Sequence, residues 1–214
     1  VNGKKVDIAI DFHGRVSPAM SIRLLKALEP YYPLFVEEPV LPENVDEMVR
    51  VSRSTTIPIA AGERLFTKFG FRELIEKQAV SVVQPDLCHC GGIFEARKIA
   101  AMAETYYMQI APHNPLGPIS LAACMQLDAC VPNLLAQEHP GMPDHADLGV
   151  GILKTPFKIE DGYIRIPEGP GLGIEVDEES VELTISIVKH KTLPLTVDFV
   201  AGGGATEDNV KWEF

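Results

Sequence analysis

The sequence predicts a parallel α/β fold, a TIM-type (β/α) barrel that lacks its first strands. Three observations carry this. Six short apolar runs recur along the first two thirds of the chain: VDIAIDFH, LFVEEP, PIAAGE, SVVQPD, QIAPHN and LLAQEH. Each ends in a carboxylate or an imidazole, at Asp11, Glu37, Glu63, Asp86, His113 and Glu138, with intervals of 26, 26, 23, 27 and 25 residues. One βα unit takes about that length in a barrel of about 250 residues and eight units. Helical patterns fill the intervals, and alternating strand and helix with short joins predicts a parallel sheet with right-handed crossovers.

The first run is apolar up to Asp11 and carries His13 two residues later. Ser17 suits an N-cap and Pro18 a first helical turn, so AMSIRLLKALEP reads as the first helix. LFVEEP is the second strand, and Pro42 opens a second helix, ENVDEMVRVSRS. PIAAGE is followed by TKFGFRELIEKQ, with Thr67 as its cap. After SVVQPD, Gly91-Gly92 introduces IFEARKIAAMAETY, which has apolar residues at helical spacing. QIAPHN precedes GPISLAACMQLDAC, a largely buried helix, and LLAQEH is the sixth strand. Met102, Met108 and Met125 fall at core positions. The strands are continuous apolar runs rather than alternations, as parallel strands covered by helices are.

Past Pro156 the pattern changes. FKIEDGYIRIP reads as two short strands about an Asp161-Gly162 turn, and GPGLGIEVDEE is rich in turn residues. From about Lys191 the signal weakens, and Gly202, Gly203 and Gly204 read as part of a flexible tail. The expected organisation is a partial six-strand barrel over residues 1–156, a further segment over 157–190 and a tail over 191–214.

The competing arrangement is an open doubly wound sheet. It would place a Gly-rich phosphate loop after the first strand, whereas Asp11-Phe12-His13-Gly14-Arg15 has one glycine. Six polar strand ends in succession fit a barrel. Six strands do not close one, and an open set would expose two long parallel edges. Two further strands are therefore expected before residue 1.

With 19 basic against 30 acidic residues the net charge is −11, which disfavours nucleic acid and anionic membranes as partners. No apolar run is long enough to span a bilayer. An anionic substrate would need a local positive centre, such as a bound cation. The four cysteines, Cys88, Cys90, Cys124 and Cys130, fit no disulfide framework and read as reduced thiols, which suits a cytoplasmic protein.

Asp11, Glu37 and Glu63 are the candidate metal ligands. Three carboxylates on adjacent strand ends suit a hard cation such as Mg²⁺, which takes oxygen ligands and keeps positions open. Glu38 points to the other side of its strand by alternation, where a structural ion pair is expected. His113 and Asp86 end neighbouring strands about 5 Å apart, and an aspartate that fixes an imidazole tautomer prepares a general base. His13 shares the inward face with Asp11 and is either an acid opposite His113 or a rim residue. Glu138 is either a group that, when protonated, hydrogen-bonds a substrate carboxylate or a salt-bridge partner of a residue missing from this sequence. Arg15 is a candidate contact to a polar substrate tail. His89, His139, His145 and His190 read as surface or loop residues.

As an ordered set, DIAIDFHGR, FVEEPV, IPIAAGERL, VVQPDLCHCGGI, IAPHNPLGPIS and LLAQEH resemble the barrel domain of the enolase superfamily, in its mandelate racemase subgroup. Within that subgroup they look most like the D-galactonate dehydratase family of acid-sugar dehydratases. The resemblance covers roughly residues 6–175. It implies a modified TIM barrel with a capping domain built mainly from the N-terminal portion; that cap and the first barrel strands are missing from this sequence. Superfamily sites pair a Lys or His base with one or two Mg²⁺ ions. The resemblance carries one Mg²⁺ per site onto Asp11, Glu37 and Glu63, the base onto His113 and its dyad partner onto Asp86. It makes His13 the general acid and Glu138 a hydrogen-bonding group at the substrate carboxylate. Residues 157–190 are then the return toward the capping domain.

The implied activity is dehydration of a sugar acid, D-galactonate, to 2-dehydro-3-deoxy-D-galactonate. The nearest alternative is another sugar-acid dehydratase or epimerase of the superfamily, and His13 favours dehydration. A barrel glycosidase with two carboxylates and no metal is the alternative of another class. An inactive truncated fragment is the alternative that is not an enzyme. The implied partners are a small-molecule sugar acid and, for the full-length protein, further copies of itself in a homo-oligomer.

Overall fold

The computed structural model describes residues 6–178 and the backbone of strands Leu183–Val188 and Thr196–Ala201. Five parallel strands form one sheet: β1 (Ala9–Asp11), β2 (Phe35–Glu37), β3 (Ile59–Ala61), β4 (Val82–Val83) and β5 (Gln109–Ile110), side by side in chain order. Helices α1 (Pro18–Leu28), α2 (Val45–Ser52), α3 (Thr67–Glu76) and α4 (Gly92–Glu104) link them, and α5 (Pro118–Asp128) follows β5. This is the parallel α/β arrangement that the spacing predicts.

The helix starts follow local chemistry. Ser17 is extended ahead of Pro18, and its carbonyl accepts the Ser21 N–H. α2 begins at Val45, later than Pro42 predicts, because the Asn44 side chain accepts the Glu47 N–H; such a cap satisfies an end group that proline does not serve. Phe66, not Thr67, occupies the cap position of α3, and the Thr67 N–H donates to the Cys90 carbonyl. Gly91 precedes α4 at φ 113°, a turn that glycine takes at no steric cost.

Side-chain alternation sorts the strands onto two faces. Val36, Ile59, Ala61, Val83 and Ile110 pack with Met48, Phe71, Leu74 and Ile99 of the helices in the main core. Phe35, Ala60, Val82 and Ala111 form a second, smaller cluster on the opposite face. Glu37, Asp86 and His113 are an even number of residues beyond Phe35, Val82 and Ala111. They therefore continue the smaller cluster's face past the strand ends.

The sixth run differs from expectation. LLAQEH does not add a full strand: it meets β5 through one parallel bridge, Ile110 to Leu134. Ile110 donates to the Asn133 carbonyl at 2.8 Å and Leu135 donates to Ile110 at 2.7 Å. The next donor along β5 would be Pro112, which has no N–H, so the ladder stops. The Gln137 amide instead donates to the Pro112 carbonyl at 3.1 Å.

The chain divides into two compact units, one running to Pro115 and resuming over Ala123–His139, the other formed by Leu116–Ala122 and the chain from Pro140. In the second unit, β6 (Ile159–Glu160) and β7 (Tyr163–Ile164) pair antiparallel about Asp161 (φ 51°) and Gly162 (φ 84°), the predicted turn. Two longer strands, β8 (Leu183–Val188) and β9 (Thr196–Ala201), also pair antiparallel. β9 falls inside the stretch expected to be a flexible tail. Gly202, Gly203, Gly204 and the rest of that tail lie outside the described residues, as does His190. Among the described residues no helix is long and apolar enough to cross a membrane.

Candidate functional site

The strand ends place the acids and imidazoles by register. Asp11 and Glu37 are paired residues of β1 and β2. Asp86 and His113 are paired just beyond β4 and β5, with the His113 N–H on the Pro85 carbonyl. Glu63 would fall on the helix side by simple alternation from Ala60. Gly62, at φ 153°, resets it: a Cβ there would sit 2.7 Å from the Gln84 carbonyl oxygen. That backbone turn is open to glycine and brings Glu63 to the cluster.

His113 and Asp86 meet as expected from the sequence. His113 Nδ1 lies 2.8 Å from Asp86 Oδ2, and the Cys88 N–H donates to Asp86 Oδ1 at 2.7 Å. Asp86 is fully buried. Burial opposes its charge, but the His113 and Cys88 hydrogen bonds outweigh that and hold its carboxyl below the usual range. Burial likewise opposes charge on His113, yet the Asp86 hydrogen bond and the nearby Glu138 and Glu63 raise its pKa. His113 Nε2 faces Glu63 Oε2 at 3.0 Å, so one ring spans both carboxylates.

Glu37 is pushed up to about 7 by burial, against a hydrogen bond from Gln84 and with repulsion from Asp11, Glu138 and Glu63 added. Four carboxylates thus face one another with little positive charge among them. That is the donor set a hard divalent cation neutralises, and the residues fit Mg²⁺ in chemistry. Their oxygens are not drawn to one point, however. The Asp11 carboxylate takes the backbone N–H and, at 3.2 Å, Nδ1 of His13, while Glu63 is held by His113.

Among the described residues, the ligand atoms that lie within 4.8 Å of one another belong to His13, Glu38 and Glu63. That group already has a cation. Arg64 Nε donates to Glu38 Oε2 at 3.0 Å and lies 3.5 Å from Glu63 Oε1. Glu38 is fully buried on the helix side, in the ion pair that alternation predicts.

The other candidates sit around this centre. His13 is half-exposed, at φ 52°, with Nδ1 also 3.8 Å from Glu63 Oε1. Glu138 Oε2 accepts the Asn114 N–H at 2.8 Å, which ties the sixth run to the residue after His113. Arg15 is exposed, and among the described residues no hydrogen bond or ion pair joins its side chain to the cluster.

Four residues escaped the sequence reading. His89 is in a loop, as expected, but borders the site: Nδ1 is 3.3 Å from the Glu63 carbonyl and 3.7 Å from Asp86 Oδ2. Its place three residues after Asp86 in a tight turn was the available signal. Arg64, directly after Glu63, links three strand ends. Gln84 and Asn114 are buried polar residues, two before Asp86 and one after His113.

Comparison with known proteins places the chain in a family. Residues 1–180 match the family described as enolase C-terminal domain-like. The D-galactonate dehydratase of Variovorax paradoxus is 50% identical over 182 residues, covering 83% of this chain and 47% of that protein. The D-galactonate dehydratase of Ralstonia pickettii is 50% identical over 184 residues, covering 84% and 48%. The chain thus spans about half the length of the curated relatives it matches. Among solved structures, a mandelate racemase/muconate lactonizing enzyme from Sulfitobacter superposes with TM-score 0.77 at 46% identity, covering 83% of this chain and 44% of that one. A member of the enolase superfamily from Salmonella Typhimurium gives TM-score 0.77 at 34% identity, covering 83% and 45%. With its residues 1–180 matched by that family, the chain belongs to the enolase C-terminal domain-like family.

Proposed function

We propose that this chain is the catalytic barrel portion of a Mg²⁺-dependent acid-sugar dehydratase that acts on D-galactonate. The observation that supports this most is the His113–Asp86 pair facing the carboxylates of Asp11, Glu37, Glu63 and Glu138. The kinship with dehydratases of that substrate supports the choice of sugar acid.

In this reading Asp11, Glu37 and Glu63 hold the ion, which supplies Lewis-acid stabilisation of the charge that develops on the substrate carboxylate. Asp86 holds the His113 ring with a proton on Nδ1, and Nε2, which meets Glu63 in this structure, would be free to take the proton from C2 once Glu63 holds the ion. The C2–H electron pair first passes onto the substrate carboxylate; it then forms the C2–C3 double bond as the C3–O bond breaks. His13 gives its proton to the departing hydroxyl, which leaves as water. The enol product then tautomerises to the 2-keto-3-deoxy acid. Glu138, steadied by the Asn114 N–H, faces the substrate carboxylate, and Arg15 is the rim contact to the polar tail.

The test uses the full-length protein with D-galactonate. Turnover to 2-dehydro-3-deoxy-D-galactonate is expected, lost in EDTA and restored by Mg²⁺. His113→Asn is expected to cost on the order of 10²-fold or more. Turnover that persists in EDTA, or full activity in the variant, would overturn the proposal.

A further inference from the structure

We propose that Arg64 is a positioning residue for His13: anchored on the buried Glu38, its guanidinium tethers the His13 backbone and so sets the imidazole that donates the proton. This rests on the reading of His13 as the acid. Arg64 donates from Nε to Glu38 Oε2 at 3.0 Å and from a terminal nitrogen to the His13 carbonyl at 3.3 Å.

The tether is needed because His13 is held in an uncommon conformation. His13 (φ 52°), Gly14 (φ 63°) and Glu38 (φ 37°) are all left-handed. A non-glycine residue stays there when its surroundings impose it. One restraint is the Gly14 N–H, which donates to the Glu38 carbonyl at 2.9 Å. Gly14 also passes close to Leu41, where a Cβ would lie 2.7 Å from the side chain, so the turn takes glycine. Asp11 holds the His13 N–H, and Arg64 adds the side-chain restraint on the His13 carbonyl. Arg64 also gives the fully buried Glu38 carboxyl a partner behind the site. A forked guanidinium reaches both acceptors at once, whereas an ammonium is a single point of charge.

The test follows two rates in the full-length protein with Mg²⁺ and D-galactonate in D₂O: dehydration, and exchange of the C2 hydrogen with solvent. His13→Asn serves as the reference for a lost acid, with dehydration falling and exchange surviving. Arg64→Lys is expected to show the same split, because misplacing a catalytic group by about 1 Å costs about 10²-fold. Dehydration should fall by that order, with exchange within about threefold of the parent. Removing Arg64 alone would strand a buried carboxylate, so the double variant Glu38→Gln/Arg64→Met takes away both charges. It is expected to keep the parent's far-ultraviolet spectrum and show the same split. Equal losses in the two rates, or no loss in either, would overturn the tether. Absence of the split in His13→Asn itself would instead overturn the reading of His13 as the acid, and the tether with it.

Discussion

Replacing Asp86 by Asn tests the centre of the site with one atom's difference. Asp86 is fully buried and accepts from His113 Nδ1 at 2.8 Å and from the Cys88 N–H at 2.7 Å. A hydrogen bond to a charged group contributes about 1.5–3 kcal/mol, and each 1.4 kcal/mol is about tenfold in rate. Lost charge alone therefore accounts for roughly 10–10²-fold if it is fully expressed in the transition state. The tautomer adds to this. The Asn carbonyl can keep the Cys88 N–H, which turns its NH₂ toward Nδ1 and makes Nδ1 the acceptor. The ring proton then moves to Nε2, which sits 3.0 Å from Glu63 Oε2 and donates to it. The lone pair that removes the C2 proton in the proposed reaction is gone. The expected loss is about 10²–10⁴-fold in C2 proton abstraction. It is read as C2 exchange and dehydration rates, with ¹⁵N shifts of the His113 ring to identify the tautomer. Rates within about threefold of the parent, with the proton still on Nδ1, would refute the reasoning.

Gly62→Ala is expected to destabilise the fold by about 1–3 kcal/mol from backbone strain before any clash, since its Cβ would meet the Gln84 carbonyl oxygen at 2.7 Å; thermal melting checks it. Glu29 is held at about 2 by the Thr56 N–H, the Thr55 hydroxyl and Lys26. A carboxyl lowered by folding stabilises above its ordinary value of 4.5 and loses that stabilisation as the pH falls toward 2. Urea unfolding of Glu29→Gln at pH 7 and pH 3 should accordingly show a smaller stability difference than the parent does. Phe71 is fully buried in the main core, and Phe71→Ala is expected to cost about 3–5 kcal/mol by chemical denaturation.

Much of the site was legible because it depends on parity. A strand shows alternate residues to alternate faces, so a run ending in Asp or Glu states which side that acid takes. Glu37 and Glu38 illustrate it: adjacent in sequence, one joins the acid cluster and the other a buried pair with Arg64. Asp86 and His113 were readable because their runs end level in register. Glu63 reached the cluster for a reason parity does not contain, the positive φ of Gly62. His89 was passed over because a histidine in a loop carries no face, and only folding brought it against the Glu63 carbonyl.

Residue types at 25-residue spacing were enough to mark the strands, the helices between them and the identity of the strand-end acids, because each depends on one segment at a time. Folding decided the remainder. Arg64 meets Glu38 across 26 residues and His13 across 51, and Glu29 meets Thr55 across 26. The sixth run pairs at one bridge because Pro112 interrupts the donors of its neighbour. These outcomes hang on strand register and on backbone turns at His13, Glu38 and Gly62. Such contacts join distant segments, so no local pattern encodes them until the sheet has brought the segments together.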